Sequence, residues 1–186
     1  MLYTTFRRAK EANACIWSYR KFAKFKGGVK KWGYDTPFPL SEVLEVCGLD
    51  DTLWALQIVI EPADKEIRLL ACDYAKRVLP IFEKQHPEDK QPRQAIEASR
   101  QYARGEISIE QLGDAQDASW NASWNASSEA SSEAAWAAWA ASWGNVLNVA
   151  LAALGAIWAA WAARNAAVAT ERKWQEQRLL ELLNTA

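Results

Sequence analysis

One histidine, one methionine and three cysteines in 186 residues leave little from which to build most kinds of active site. His86 sits before Pro87 in a polar turn with no cysteine and no serine elbow beside it, so the sequence assembles no catalytic triad around it. Cys15, Cys47 and Cys72 are odd in number, far apart and not in a CxxC pair, which argues against a disulfide framework or zinc site and reads better as buried thiols of a reducing cytosol. No glycine-rich loop precedes Lys-Ser or Lys-Thr, so a P-loop is excluded. Asp50, Asp51, Asp64 and Asp73 lack metal-ligand spacing, and the first two read as helix caps. The opening residues have no continuous apolar core, so no signal peptide and a cytoplasmic location are expected. A chain with this inventory is expected to be no enzyme and to carry no cofactor and no metal.

Basic residues are missing from a long stretch, because six acids and no Lys or Arg lie between Gly105 and Ala163. From Met1 to Tyr34, nine Lys or Arg stand against Glu11 alone, a net +8. A basic arm and an acidic body are expected where the two pack together, or where the arm meets an anionic partner. Finger spacing and RNP signatures are absent, so a nucleic-acid polymer is not the expected partner. Between Glu133 and Arg164 no residue is charged, which is long enough to cross a bilayer. That run is Ala rather than Leu or Ile, is interrupted by Gly144, Asn145 and Asn148, and carries Trp through its middle instead of at two belts. A water-soluble bundle is expected, not a membrane span.

What the chain has in excess is tryptophan: eleven residues, seven of them between Trp120 and Trp161 among Ala, Ser and Asn. Set against Ala, the indoles describe helices that approach closely while aromatic knobs fill the gaps. The units WNAS, WNAS, SSEA and SSEA repeat every four residues, and each such step lags the helix by about 40°. Within one helix the stripe from Trp120 to Trp136 therefore winds and crosses more than one neighbour. From Trp136 the series Trp139, Trp143, Leu147, Leu151, Leu154, Trp158 and Trp161 keeps to one face, with Gly144 and Asn145 as a hairpin turn. Trp54, Trp158 and Trp161 share faces with Leu and Ile and are expected in the core. Trp120 and Trp124 lie among Asn and Ser and are the better surface candidates.

Earlier in the chain, a first helix is expected from Thr5 to Phe25, anchored by Phe6, Ile16, Tyr19 and Phe22. An exposed loop is expected over Val29 to Pro39, then a short helix capped by Ser41 and running through Val46 with Gly48 beyond its end, and a second capped by Asp50 or Asp51. The helix beginning at Asp64 buries Ile67, Leu70, Ala71, Tyr74 and Val78 and is expected to kink or divide at Pro80. Pro92 opens the next helix and Gly105 closes it, after which Ser108 and Gln111 form a capping box. Leu179, Leu180, Leu182 and Leu183 give the last helix an apolar end. The expected fold is all-α: a multi-helix bundle in one domain, residues 1–186, with a mixed helical lobe over 1–107 and an Ala/Trp-rich antiparallel hairpin over 108–186.

The segments GLDDTLWAL and LLACDYAKRVLPIFEKQHPEDKQPRQAIEASRQYARGEIS, ahead of an alanine-rich tail, resemble the alanine-rich immunity proteins of phages and bacteria, the fifth toxin-immunity family. The resemblance covers about Gly48 to Ser108, and the tail by composition. It implies a helical, non-enzymatic protein that binds and neutralises something. In the tail, Trp, Ser and Asn replace much of the family's alanine-and-charge tract, so the partner does not carry over.

Two binding readings stand beside each other. In the first, an immunity-like or phage counter-defence protein occludes a protein toxin or immune effector, using the basic loop with Lys30, Lys31, Trp32 and Tyr34 and the tryptophans Trp120, Trp124, Trp136, Trp139 and Trp143. In the second, a sponge sequesters a nucleotide-derived immune signal, with indoles stacking the base and Arg93, Arg100 and Arg104 holding phosphate. Those arginines share one helix face, and a solvated stripe is the more usual reading of such a row. A homo-oligomerisation module built through the Trp and Ala tail is the third alternative.

Overall fold

The computed structural model describes residues 1–126, 128–143, 151–153, 155–156, 158–159 and 168–185. Among the described residues the fold is all-α apart from a two-residue ladder. The chain divides into two compact units, one of Met1–Ala63 with Glu176–Ala186 and one of Asp64–Gln175.

In the first unit, β1 (Tyr3–Thr4) pairs antiparallel with β2 (Phe38–Pro39), Tyr3 opposite Pro39 and Thr4 opposite Phe38. Helix α1 (Phe6–Glu11) starts at Thr5, whose Oγ1 accepts a hydrogen bond from the Arg8 backbone N–H. The single helix expected from Thr5 to Phe25 does not form. Asn13 takes a φ of 58°, the left-handed conformation that Asn tolerates better than most residues, and α2 (Ile16–Phe25) begins afresh. The new phase leaves Ile16 half exposed instead of anchoring the helix, while Phe6 and Phe22 are buried against Phe38 at ring distances of 5.0 and 4.6 Å. The expected loop contains a single turn, α3 (Val29–Trp32), as well as β2. Helices α4 (Leu40–Cys47) and α5 (Leu49–Ala55) meet at Gly48, which has a φ of 92°. Gly48 occupies the N-cap of α5, so Asp50 and Asp51 lie in its first turn rather than capping it. A 3-10 turn over Leu56–Ile58 comes next.

In the second unit, α6 (Asp64–Gln85) buries all five positions that its periodicity marks, and it runs through Pro80 undivided. Helix α7 (Gln91–Arg104) carries Pro92 at its start and left-handed Gly105 past its end. Helix α8 (Ile109–Asn125) opens on the expected box, in which Ser108 Oγ accepts from the Gln111 N–H and Gln111 Oε1 from the Ser108 N–H. It stops before the tract is finished, because Ala126 is extended, and α9 (Glu129–Trp143) starts from a second reciprocal cap between Ser128 and Ser131. The winding stripe expected of one long helix is thus cut in two, and α8 and α9 pack on each other.

Helix α9 also packs against α6 and α7. With helices on several sides, its close contacts are made by Ala130, Ala134, Ala135, Ala137, Ala138, Ala140 and Ala141, all buried, while Trp136 and Trp139 are half-buried and Trp143 is exposed. Small side chains win the interior because neighbouring backbones then approach closely, and the indoles are displaced outward. This reverses the expectation of indoles as interior knobs. Buried hydroxyls bind the helices together: Ser99 Oγ donates to Ala141 O at 3.0 Å and Ser119 Oγ to Ala135 O at 3.2 Å. Arg68 and Gln116 donate to Ser142 O near the end of α9.

Residues 151–153, 155–156 and 158–159 are helical. The Gly144–Asn145 turn, Leu147, Leu154 and Trp161 lie outside the described residues. Helix α10 (Val168–Thr185) is divided between the units. In the second unit, Tyr74 donates to Gln175 O at 3.1 Å. In the first, Leu179, Leu182 and Leu183 are buried while Leu180 is 40% exposed. Among the described residues, no helix is long and apolar enough to cross a membrane.

Candidate functional site

Helices α8 and α9 place a row of indoles on their outer surface, which the Trp158 ring extends to six. Trp124 meets Trp120 edge to face at 5.7 Å, Trp120 meets Trp139 at 4.7 Å, and Trp139 continues to Trp143 at 5.9 Å and to Trp136 at 6.2 Å. Trp136 stacks on Trp158 at 6.4 Å. The row forms because the break at Ala126 folds α8 back along α9, bringing Trp120 beside Trp139 although 19 positions separate them in the chain. Trp124 is 73% exposed, and Trp143 and Trp158 are about half exposed. The expectation that Trp158 is core is therefore corrected: buried Ala152, Ala153, Ala156 and Ala159 take the interior face of its helix. Trp54, the other described residue of that group, is half-buried in the first unit.

One end of the row borders an open cleft of about 580 Å³. Its walls carry Trp120, Trp124, Trp136 and Trp158 together with Glu129 and Glu133, and serine hydroxyls lie between them. Burial, and then the neighbouring Glu129, push the Glu133 carboxyl above its usual range. Neither glutamate makes an ion pair among the described residues. The cleft brings indole rings and two carboxylates together.

The arginine row of α7 is brought to a different use. Arg93 grips Glu83 with two hydrogen bonds of 2.6 and 2.7 Å, Arg100 pairs with Asp73 at 2.9 Å, and Arg104 clasps Glu106 and reaches Glu97. None of the three lines the indole cleft. Stacking rings and phosphate-binding guanidinium groups are thus not combined in one place.

The basic loop belongs to the first unit. Lys30 and Lys31 are exposed, Trp32 donates through Nε1 to Thr36 O and lies under Lys26 Nζ at 3.8 Å, and Tyr34 is 42% exposed with Arg7 and Lys10 over its ring. Arg7 is fixed by a two-pronged contact to Asp35, which lowers the Asp35 carboxyl. The cysteines differ from one another: Cys72 is buried, Cys47 half-buried and Cys15 exposed, so they do not form a uniformly buried set. His86 stacks on Phe82 at 4.8 Å. Among the described residues, no group of three His, Cys, Asp or Glu is placed to hold a metal ion.

Residues 60–182 match the family model described as "Imm-5 like putative immunity protein". The chain belongs to that family. The Imm-5 like match extends well beyond the Gly48 to Ser108 segment whose wording resembles it, and it takes in the whole indole row and the cleft. It leaves the basic loop outside. No curated protein and no solved structure matches the chain. Membership in the Imm-5 like family gives an immunity-like role.

The row itself was only partly visible in the sequence. Trp136, Trp139 and Trp143 are legible as one helix face, but the meeting of Trp120 with Trp139 depends on the Ala126 break, whose signal is the SSEAS cap at Ser128. Glu129 and Glu133 carry no local signal that ties them to the indoles of α8.

Proposed function

We propose that the chain neutralises a protein toxin or immune effector by stoichiometric binding, without transforming it, and that the indole row on α8 and α9 is the contact surface. The observation that carries this is a continuous row of six indoles, four of them exposed, within the part of the chain that belongs to an immunity family. Monomeric proteins rarely leave so much aromatic surface in water without use, and Trp is the residue type most enriched where interfaces hold their energy. The carboxylate-bound arginines of α7 make a nucleotide sponge the weaker reading.

The test is a growth-protection screen in which toxin domains are expressed in cells with and without this protein. A protected pair is then purified and weighed by native mass spectrometry. The expected result is protection with a fixed-ratio complex, lost in Trp120→Ala/Trp124→Ala. Protection by trace amounts of the chain, with the toxin chemically altered, overturns binding as the mechanism; a bound nucleotide with no protein partner overturns the choice of partner.

A further inference from the structure

The cleft beside the indole row narrows the choice of partner further than the row does, on the footing of the protein-binding role proposed for the chain. Two carboxylates, Glu129 and Glu133, stand one turn apart on the same face of α9, where like charges repel. A structural pair of that kind is usually relieved by a nearby cation. Among the described residues none is supplied: the stretch from Gly105 to Ala163 has no Lys or Arg, and neither glutamate is ion-paired. Beside them, among serines and Ala126, stand the indoles of Trp120, Trp124, Trp136 and Trp158, a ring type whose faces carry the negative lobe of the quadrupole.

The same unit contains a completed version of this arrangement. Arg77 lies over the Trp174 ring at 5.0 Å and donates through Nε to Glu171 at 3.3 Å. Arginine, indole and glutamate there satisfy one another, the planar guanidinium stacking on the ring while its edge donates to the carboxylate. The cleft has the indoles and the glutamates of that trio, and among the described residues no arginine completes it. Its volume, about 580 Å³, is ample for a long side chain with some of its backbone.

We propose that the cleft receives an arginine side chain presented by a basic segment of the protein partner, stacked on the indoles and held by Glu129 and Glu133. A second copy of this chain is the less favoured donor. The first two arginines of its basic arm are already engaged, Arg7 by Asp35 and Arg8 by Val59 O.

The full chain is titrated with an uncharged Gly-Ser peptide into which arginines are placed, and with lysine, citrulline and glutamate versions of it, by calorimetry and tryptophan fluorescence. The arginine peptide is expected to bind saturably and more tightly than the lysine peptide. Citrulline, which keeps the shape and loses the charge, is expected to bind about tenfold more weakly, and Glu129→Gln/Glu133→Gln to cost the arginine peptide a similar factor. Equal binding of the citrulline peptide, an unchanged affinity in the double variant, or no saturable binding of the arginine peptide overturns the proposal. Self-association in sedimentation that disappears in the double variant assigns the cleft to a second copy and overturns it too. If the wild type and the double variant protect cells from the toxin equally, the arginine site fails while the binding role stands; if the wild type protects from no toxin, the binding role fails and the peptide titration still decides the site.

Discussion

Gly155 stands where the Trp136 ring leaves room for no side chain: a Cβ built on it would lie 2.8 Å from Trp136 Cε3 and 3.0 Å from the Ala137 Cβ. The close approach of the Gly155 helix to α9 sets the Trp136 indole at the surface, where it stacks on Trp158. Gly155→Ala is expected to destabilise the protein by about 1–3 kcal/mol through overpacking, although alanine is the better helix former. Urea denaturation checks the sign. A more stable variant would mean that the approach is looser than described.

The division between a small-residue interior and an aromatic exterior predicts an inversion of the usual rule that loss of a large side chain is the costly change. Trp124→Ala, at a 73% exposed position, is expected to move stability by no more than about 0.5 kcal/mol. Ala138→Leu, at a fully buried position, is expected to cost about 1–3 kcal/mol. Thermal melts of the two variants side by side decide between this arrangement and an indole-filled core.

Much of the framework was legible because its signals are local. Ser108 with Gln111, Pro92 with Gly105, and the apolar face of Ile67, Leu70, Ala71, Tyr74 and Val78 each depend on residues within a few positions of one another. The side of α9 that faces inward was not legible from hydrophobicity. In WAAWAASW every residue is apolar or small, so periodicity finds the tryptophan face correctly and says nothing of whether it points in or out. That is decided by side-chain volume where several helices converge, which is a property of the neighbours. Asn13 and Ala126 break their helices without Pro or Gly to announce it.

Cysteine chemistry should separate the three thiols. Hydrogen bonds from the Ser18 and Trp17 backbone lower the Cys15 thiol, which is exposed, whereas burial pushes Cys72 up to about 11. Limited iodoacetamide treatment at mildly alkaline pH is expected to label Cys15 first, Cys47 more slowly and Cys72 only on unfolding. Mass spectrometry of the digested protein reads the order, and early labelling of Cys72 would contradict its burial.

Glu171 gives a pH dependence with a definite sign. Burial raises its carboxyl above the ordinary value, a shift that the Arg77 contact only partly offsets. The folded state therefore holds this proton more tightly than the unfolded state does, and the residue costs stability as pH rises from the unfolded carboxylate range through the folded one. Glu171→Gln is expected to match the wild type in acid and to gain on it as pH rises toward neutrality. Denaturation at a series of pH values measures the gap, and a gap that narrows with rising pH would reverse the assignment.

In the proposed role the same indoles face water in the free protein and a partner in the complex. Hydroxyl-radical footprinting, read residue by residue with and without the toxin that the growth screen returns, tests this directly. Trp124, Trp143 and Trp158 are expected to label readily in the free chain while buried Tyr74 does not, and Trp120, Trp124 and Trp158 are expected to be protected in the complex. Indoles that resist labelling in the free chain, or that label equally in the complex while another surface is protected, would contradict it.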